Sequence, residues 1–171
     1  GFALAGVQAR LFGGDVRIMT PMIGGGFGGK DTYGPIVSSL AAVAAQVTGQ
    51  PAVLMLTRRE SFLSRYKRCP FDIRFKSGAS KDGKLLAIEV EYTADCGGYT
   101  AHAVPLMKRA AYHATGIYEV PHCKVTGVAV YTNNLPCAAF NGFGNPQMGL
   151  ATESQMDQLA EALDMDPVAL R

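Results

Sequence analysis

Residues 24–31 read Gly-Gly-Gly-Phe-Gly-Gly-Lys-Asp, between an apolar run at 16–23 and a helical pattern that starts with Pro35. Glycine this dense serves a chain that brings bare backbone against something, because only glycine lacks a Cβ and takes φ > 0 freely. At a strand-to-helix turn such a backbone offers successive N–H groups to an anion. Gly24-x-Gly26-x-x-Gly29 fits the dinucleotide fingerprint. Thr57-Arg58-Arg59-Glu60, after the apolar run 52–56, offers a ribose-reading acid or a phosphate-reading arginine. Beyond Glu60, however, the pattern does not go on repeating strand–helix–strand. Gly24-x-x-x-x-Gly29-Lys30 is one residue short of a P-loop, because Asp31 stands where Ser or Thr must hold magnesium. A plain surface turn leaves Phe27 without a reason, since a solvated turn gives an apolar ring nothing to pack on.

With 171 residues, 48% hydrophobic and 18% charged, the chain has material for one domain with a real core, residues 1–171. A net charge of +2 gives no nucleic-acid footprint. No apolar run reaches membrane-spanning length, and no signal peptide is visible. The four cysteines, Cys69, Cys96, Cys123 and Cys137, form no C-x-x-C pair, so they are read as free thiols of a cytoplasmic protein rather than zinc or iron–sulfur ligands. His102, His113 and His122 lack ligand-like spacing and read as ordinary packed or surface histidines. The chain starts without Met inside a helical pattern and stops one turn after Asp166-Pro167, as a piece of a larger protein does.

Hydrophobic periodicity predicts a helix at 2–12, a strand at 16–23, a well-buried helix at 35–47 stopped by Gly49, and a buried strand at 52–56. Thr57-x-x-Glu60 is a capping box for a short helix to about Tyr66. Phe71, Ile73 and Phe75, then Leu86, Ile88, Val90 and Tyr92, alternate with polar residues around Asp82-Gly83, which makes a hairpin with a bulge. A further strand is predicted at 125–131. Asn145-Pro146 caps and starts a helix whose apolar positions include Met148, Ala151, Met156, Leu159 and Leu163. Helices and strands mix without regular βαβ order, so the class is α+β, a mixed sheet with packed helices.

A second unusual stretch is Ala138-Ala139-Phe140-Asn141-Gly142-Phe143-Gly144-Asn145-Pro146-Gln147, again an aromatic residue between glycines before a helix. Two such loops suggest two walls of one pocket. Between them, Met107-Lys108-Arg109-Ala110 carries a cation on a helix of modest length. This ordered set resembles the molybdenum-binding subunit of the xanthine dehydrogenase/aldehyde oxidase family, the molybdenum hydroxylases. Residues 24–30 resemble its Gly-Gly-x-Phe-Gly-x-Lys segment, and residues 140–147 its Phe-Arg-Gly-Phe-Gly-x-Pro-Gln segment. Residues 65–70 resemble the Ser-x-Arg-x-x-Pro region before the family's hairpin. Asp82-Gly83-Lys84 is similar to its hairpin turn, and residues 118–121 to the Tyr-x-x-Pro after its arginine helix. The similarity runs through essentially the whole chain.

The resemblance implies part of a molybdopterin-binding domain. Gly26, Phe27 and Gly28 would lie beside the molybdenum and direct a backbone N–H at its ligands; Asn141 and Gly142 would line the cofactor too. Phe143 would be the ring on which a planar substrate packs, and Asp31 and Arg109 would orient an aromatic, purine-like N-heterocycle. The family reaction is hydroxylation with oxygen from water, with electrons passing to iron–sulfur clusters (2Fe-2S) and commonly to flavin (FAD) on partner modules. No residue here is a direct metal ligand or a catalytic base; the family's base is a glutamate in a Gly-x-Gly-Glu motif far downstream, outside this chain. The isolated chain is therefore expected neither to hold molybdopterin tightly nor to turn over.

Asn141 stands where the family has arginine, and Asp31 is one methylene shorter than the family's glutamate. Asparagine keeps hydrogen bonding but loses the fixed charge. Two other readings stay open: an NAD(P)-binding oxidoreductase domain using Gly24 to Gly29, and a non-catalytic structural domain with a decayed cofactor site.

Overall fold

The computed structural model describes Gly13 and residues 16–30 and 33–171. The chain divides into two compact units, one ending at Arg65 and the other comprising Tyr66–Arg171. The helix predicted at 2–12 lies outside the described residues.

In the first unit, α1 (Gly34–Thr48) carries Pro35 in its first turn and closes on Gly49, whose φ of 63° is the left-handed cap that glycine supplies. The helix is where its periodicity puts it, but the expectation that it is well buried fails. None of its residues is buried, and Leu40 and Val47 are 55% and 81% exposed. An apolar stripe specifies which face seeks cover; it does not supply the cover. The strands predicted at 16–23 and 52–56 are also corrected, because neither segment joins a ladder among the described residues. Apolar runs have strand propensity, but a strand exists only with a hydrogen-bonding neighbour. Helix α2 (Arg58–Ser64) has the capping box in full. Thr57 Oγ1 accepts from the Glu60 N–H at 3.3 Å, and Glu60 Oε2 accepts from the Thr57 N–H at 2.7 Å. The helix ends two residues before Tyr66.

The second unit is built on the predicted hairpin. Strand β1 (Phe71–Ala79) pairs antiparallel with β2 (Leu85–Asp95), with a register shift at Gly78/Ala79 and Gly83 at φ 88° in the turn. From β2 the chain crosses through α3 (Ala103–Tyr112) to β3 (His122–Val130), which pairs parallel with β2 in the order β1-β2-β3. That crossover is one βαβ unit inside a mixed sheet, where the sequence pattern shows no regular repeat of them. The long helix α4 (Asn145–Leu163) follows, then the short α5 (Pro167–Leu170), capped by Asp166 Oδ1 accepting from the Val168 and Ala169 N–H groups.

The inward residues of β2, Ile88, Val90, Tyr92 and Ala94, meet Ala103, Leu106, Met107 and Ala110 of α3 and Met148 of α4 in one core. Spacing of four along α4 buries Met148, Thr152, Met156 and Ala160 on one face. Met148 and Met156 are core filler, as read from their pattern. Thr152, polar on this face, donates to the carbonyls of Met148 and Ala114. One capping expectation is revised. Gly144, not Asn145, is the N-cap of α4, at φ 96° with no side-chain cap, and Asn145 is already helical.

The free-thiol reading is revised as well. Cys69 and Cys137 form a disulfide, Cα–Cα 5.0 Å, and Cys96 lies with them in a buried three-sulfur cluster. A parallel bridge between Lys67 and Cys137 brings these distant segments together, which linear spacing hides. Cys96 and Cys123 are free. Among the described residues no helix is long and apolar enough to cross a membrane.

Candidate functional site

The first glycine loop belongs to the first unit. Gly25, Phe27, Gly28 and Gly29 all have positive φ. Gly25 has φ 129°, a backbone that L side chains rarely adopt, and a Cβ there would stand 2.5 Å from the Phe27 ring. Lys30 Nζ donates to the carbonyls of Gly25 and Gly26 at 3.1 and 3.0 Å and lies 5.9 Å over the Phe27 ring. Arg65 Nη2 donates to the Gly29 carbonyl at 2.6 Å. Within a trans peptide the C=O and the following N–H point opposite ways. Holding the Gly25 and Gly26 carbonyls toward Lys30 therefore turns the Gly26 and Phe27 N–H groups away from it, as a pair of donors. Phe27 itself is 73% exposed in a left-handed conformation, φ 53°, that costs an aromatic residue roughly 1–3 kcal/mol. Asp31, singled out in the sequence, lies outside the described residues.

The second loop belongs to the second unit, and here the structure brings candidate residues together. Asn141, Gly142, Phe143 and Gly144 have successive φ values of 41°, 121°, 51° and 96°. A Cβ on Gly142 would meet Pro146 at 2.6 Å, and one on Gly144 would meet the Leu106 carbonyl oxygen at 2.9 Å. The second contact shows how closely the loop lies against α3. Arg109 Nε, on the last turn of α3, donates to Asn145 Oδ1 at 3.3 Å just beyond Phe143. Tyr92 helps hold α3 in place: its buried hydroxyl donates to the Met107 carbonyl at 2.6 Å. Burial pushes the Tyr92 phenol above its ordinary pKa, so it keeps its proton for that bond.

The other end of the loop is tied to residues 67–69. Ala138 N–H donates to the Lys67 carbonyl, Gln147 Nε2 to the Cys69 carbonyl at 2.9 Å, and Arg68 Nη2 to the Asn141 carbonyl at 3.2 Å. The Arg68 guanidinium also stacks 5.6 Å from the Phe140 ring. Arg68 Nη1 and Gln147 Oε1 are buried and have no hydrogen-bond partner among the described residues. One donor and one acceptor left over beside a strained glycine loop suit a polar ligand carrying both kinds of group.

Sequence reasoning missed two residues at this loop. Arg68 sits inside a quoted motif without a role. His102, set aside as ordinary, occupies the N-cap position of α3 without a side-chain cap and stands edge-on to Phe143, with ring centroids 6.1 Å apart and planes at 83°. Its one sequence signal is a spacing of seven from Arg109, which puts both on one stripe of a helix.

The molybdopterin cofactor-binding domain family matches residues 7–171. The chain belongs to this family. The nicotinate dehydrogenase large molybdopterin subunit of Eubacterium barkeri is 41% identical over 156 residues, covering 91% of this chain and 36% of that protein. Among solved structures, the aldehyde oxidoreductase of Desulfovibrio gigas superposes with a TM-score of 0.76 at 38% identity, over 86% of this chain and 16% of that one. The quinoline 2-oxidoreductase of Pseudomonas putida 86 gives a TM-score of 0.79 at 27% identity, over 88% of this chain and 20% of that one. The chain thus spans between 16% and 36% of the length of these relatives. The α+β reading and the molybdenum hydroxylase resemblance are both borne out.

Within the second unit, a buried guanidinium N–H and a buried amide oxygen left unpaired among the described residues are a donor and an acceptor that a polar cofactor such as molybdopterin takes up. Within the first unit, the two backbone N–H groups set by Lys30 are donors of the kind an anionic group takes up.

Proposed function

We propose that this chain supplies cofactor- and substrate-binding surface to a molybdenum hydroxylase whose substrate is an aromatic N-heterocycle of purine-like type. In this reading Gly26, Phe27 and Gly28 present backbone donors to the cofactor, and Asn141 and Gly142 line it. Phe143 is the stacking surface, and Arg109 and Asp31 orient the heterocycle. When bound, the cofactor supplies a two-electron oxidation of a ring carbon with oxygen from water; iron–sulfur clusters and a flavin on partner modules take the electrons. The base that removes the proton comes from outside residues 1–171, so this chain binds and orients while chemistry is completed elsewhere.

The observation that carries the reading is the packing of the Phe143 loop on the helix that carries Arg109. A half-buried aromatic ring is held in a left-handed backbone, φ 51°, by a loop packed on the helix that carries the arginine. Backbone strain of this kind persists only where surrounding packing imposes it, and it clusters at ligand sites. An arginine beside a stacking ring stabilises negative charge that spreads into a heterocycle as it is attacked. The relatives are named for nicotinate, quinoline and an aldehyde, so the choice of a heteroaromatic substrate rests on the Phe143 loop and Arg109.

The test uses the full-length parent protein from its native host. Molybdenum by plasma mass spectrometry and pterin fluorescence should both be near stoichiometric. Arg109→Ala should raise KM or lower kcat for hypoxanthine and nicotinate at least tenfold while metal content holds. Unchanged heterocycle turnover would remove the substrate assignment, and absence of both metal and pterin would remove the cofactor reading.

A further inference from the structure

Cys96 continues the inward row of β2. Ile88, Val90, Tyr92 and Ala94 precede it at every second position and share its core. The β1–β2 ladder pairs Phe71 with Ala94, and the Asp95 N–H donates to the Pro70 carbonyl at 3.0 Å. One step further, the same register sets Cys69 opposite Cys96 on the inward face. Hydrogen-bonded and non-hydrogen-bonded pairs alternate in an antiparallel ladder. Cys69 and Cys96 therefore form a non-hydrogen-bonded pair, whose Cα atoms stand about 4.5 Å apart with the side chains close. That separation is within reach of a disulfide.

Cys137 approaches both from a third segment. It bridges to Lys67, two residues before Cys69, and its N–H donates to the Cys96 carbonyl at 3.2 Å. The three Sγ atoms lie within 4.8 Å of one another, and all three residues are buried. Cys69 is bonded to Cys137, while the Cys96 thiol donates weakly to the Ala94 carbonyl at 3.7 Å. Three sulfurs hold one disulfide and leave one thiol over. The backbone places that thiol as near to Cys69 as the partner Cys69 has taken.

We infer that Cys69, Cys96 and Cys137 form a thiol–disulfide exchange site, in which the Cys96 thiolate attacks Cys69 Sγ. The S–S bond to Cys137 breaks as the bond between Cys69 and Cys96 forms. Cys137 leaves as a thiolate and takes up a proton, replacing the one that Cys96 released. One disulfide replaces another, so no outside oxidant or reductant enters. The Cys69–Cys137 bond ties residues 67–69 to the entry of the second glycine loop. After exchange that tie is left to hydrogen bonds, from the Ala138 N–H to the Lys67 carbonyl and from Gln147 Nε2 to the Cys69 carbonyl.

The attack is slow at neutral pH. Burial first, and then the Asp95 carboxylate, push the Cys96 thiol up. The cavity beside it, about 130 Å³, is lined by Thr100, Ala103, Val104, Ala129, Val130 and Tyr131, which bring no cation to offset this. Arg68, next to Cys69, turns its guanidinium to the Asn141 carbonyl and the Phe140 ring. The resting pairing is therefore Cys69–Cys137.

The test holds the full-length native protein at neutral and at mildly alkaline pH, stops exchange in acid, alkylates the thiols and maps the disulfides by mass spectrometry. A Cys69–Cys96 link should appear in the alkaline samples. Its initial rate should rise about tenfold per pH unit, as the thiolate fraction does below the thiol's pKa. Cys96→Ser should keep Cys69–Cys137 at every pH, and Cys137→Ser should carry Cys69–Cys96 from the start. Absence of Cys69–Cys96 from the alkaline wild type overturns the inference, and this measurement decides the matter even where a serine variant fails to fold. Linkage of the exposed Cys123 at a comparable rate also overturns it, as general scrambling, and so does a rate that rises with protein concentration. Zinc or copper found on the three sulfurs in place of the disulfide overturns it too.

Discussion

Gly127→Ala tests how tightly the sheet holds the helix that carries Arg109. Gly127 lies on β3 directly opposite Tyr92 on β2. An added Cβ would stand 2.4 Å from Tyr92 Cζ and 2.6 Å from its hydroxyl oxygen. The ring has little room to yield, because it is stacked on Phe71 at 5.3 Å and its hydroxyl is bonded to the Met107 carbonyl at 2.6 Å. Overpacking of a filled core costs about 1–3 kcal/mol. Swinging the ring aside forfeits a buried hydrogen bond, about 1 kcal/mol more. Removing glycine from a strand returns roughly 0.5–1 kcal/mol. The net loss is about 2 kcal/mol, against near zero for Thr126→Ala on the exposed face of the same strand. Thermal unfolding of the full-length protein, followed by fluorescence, should show a clear drop in Tm for Gly127→Ala alone. In Gly127→Ala combined with Tyr92→Leu the two losses should add to less than their sum, because the smaller side chain removes the clash. If Gly127→Ala proves no worse than Thr126→Ala, or if the pair is strictly additive, the packing argument is wrong.

Thr57→Ala removes the side-chain half of the reciprocal cap on α2, leaving the backbone N–H at residue 57 to Glu60, and should cost about 1 kcal/mol locally, read as faster amide exchange over Arg58–Ser64 with little change in the second unit. Asp95 accepts from Thr132, Asn134 and the Gly97 N–H, and those bonds hold its carboxyl below the ordinary carboxylate range. A depressed folded-state pKa stabilises the fold above the unfolded pKa, about 3.9, and this stabilisation is lost as pH falls through the folded value; Asp95→Asn should therefore lose stability at neutral pH and flatten the acid limb of a Tm–pH curve. Maleimide should label exposed Cys123 in the native protein and spare Cys96, whose burial disfavours the thiolate; unfolding without reductant should add Cys96 only, and peptide mapping should recover Cys69 joined to Cys137.

Most of the second unit was legible because its signals are local. Alternation around Asp82-Gly83 gave the hairpin, the Met148 pattern gave α4, and Asp166-Pro167 gave α5. In the first unit the capping box was legible for the same reason, while the strands at 16–23 and 52–56 depended on neighbours that periodicity cannot supply. The Cys69–Cys137 link was hidden in the same way, since only a tertiary bridge at Lys67 joins the two segments. The candidate site divides along the same line. Glycines announced both loops, because a turn needing φ > 0 or close approach selects glycine and leaves a mark in the sequence. Ala101, Asn141 and Phe143 adopt the same left-handed backbone with side chains that leave no such mark, and the packing around them bears the strain. Those three residues turn a glycine loop and a helix start into a corner of two rings. This is why Phe143 and Arg109 could be named from motifs, while His102, one residue beyond the strained alanine, needed the fold. The two loops leave their mark in the motifs, while the ring contact of His102 with Phe143 is set by a backbone path that no local signal records.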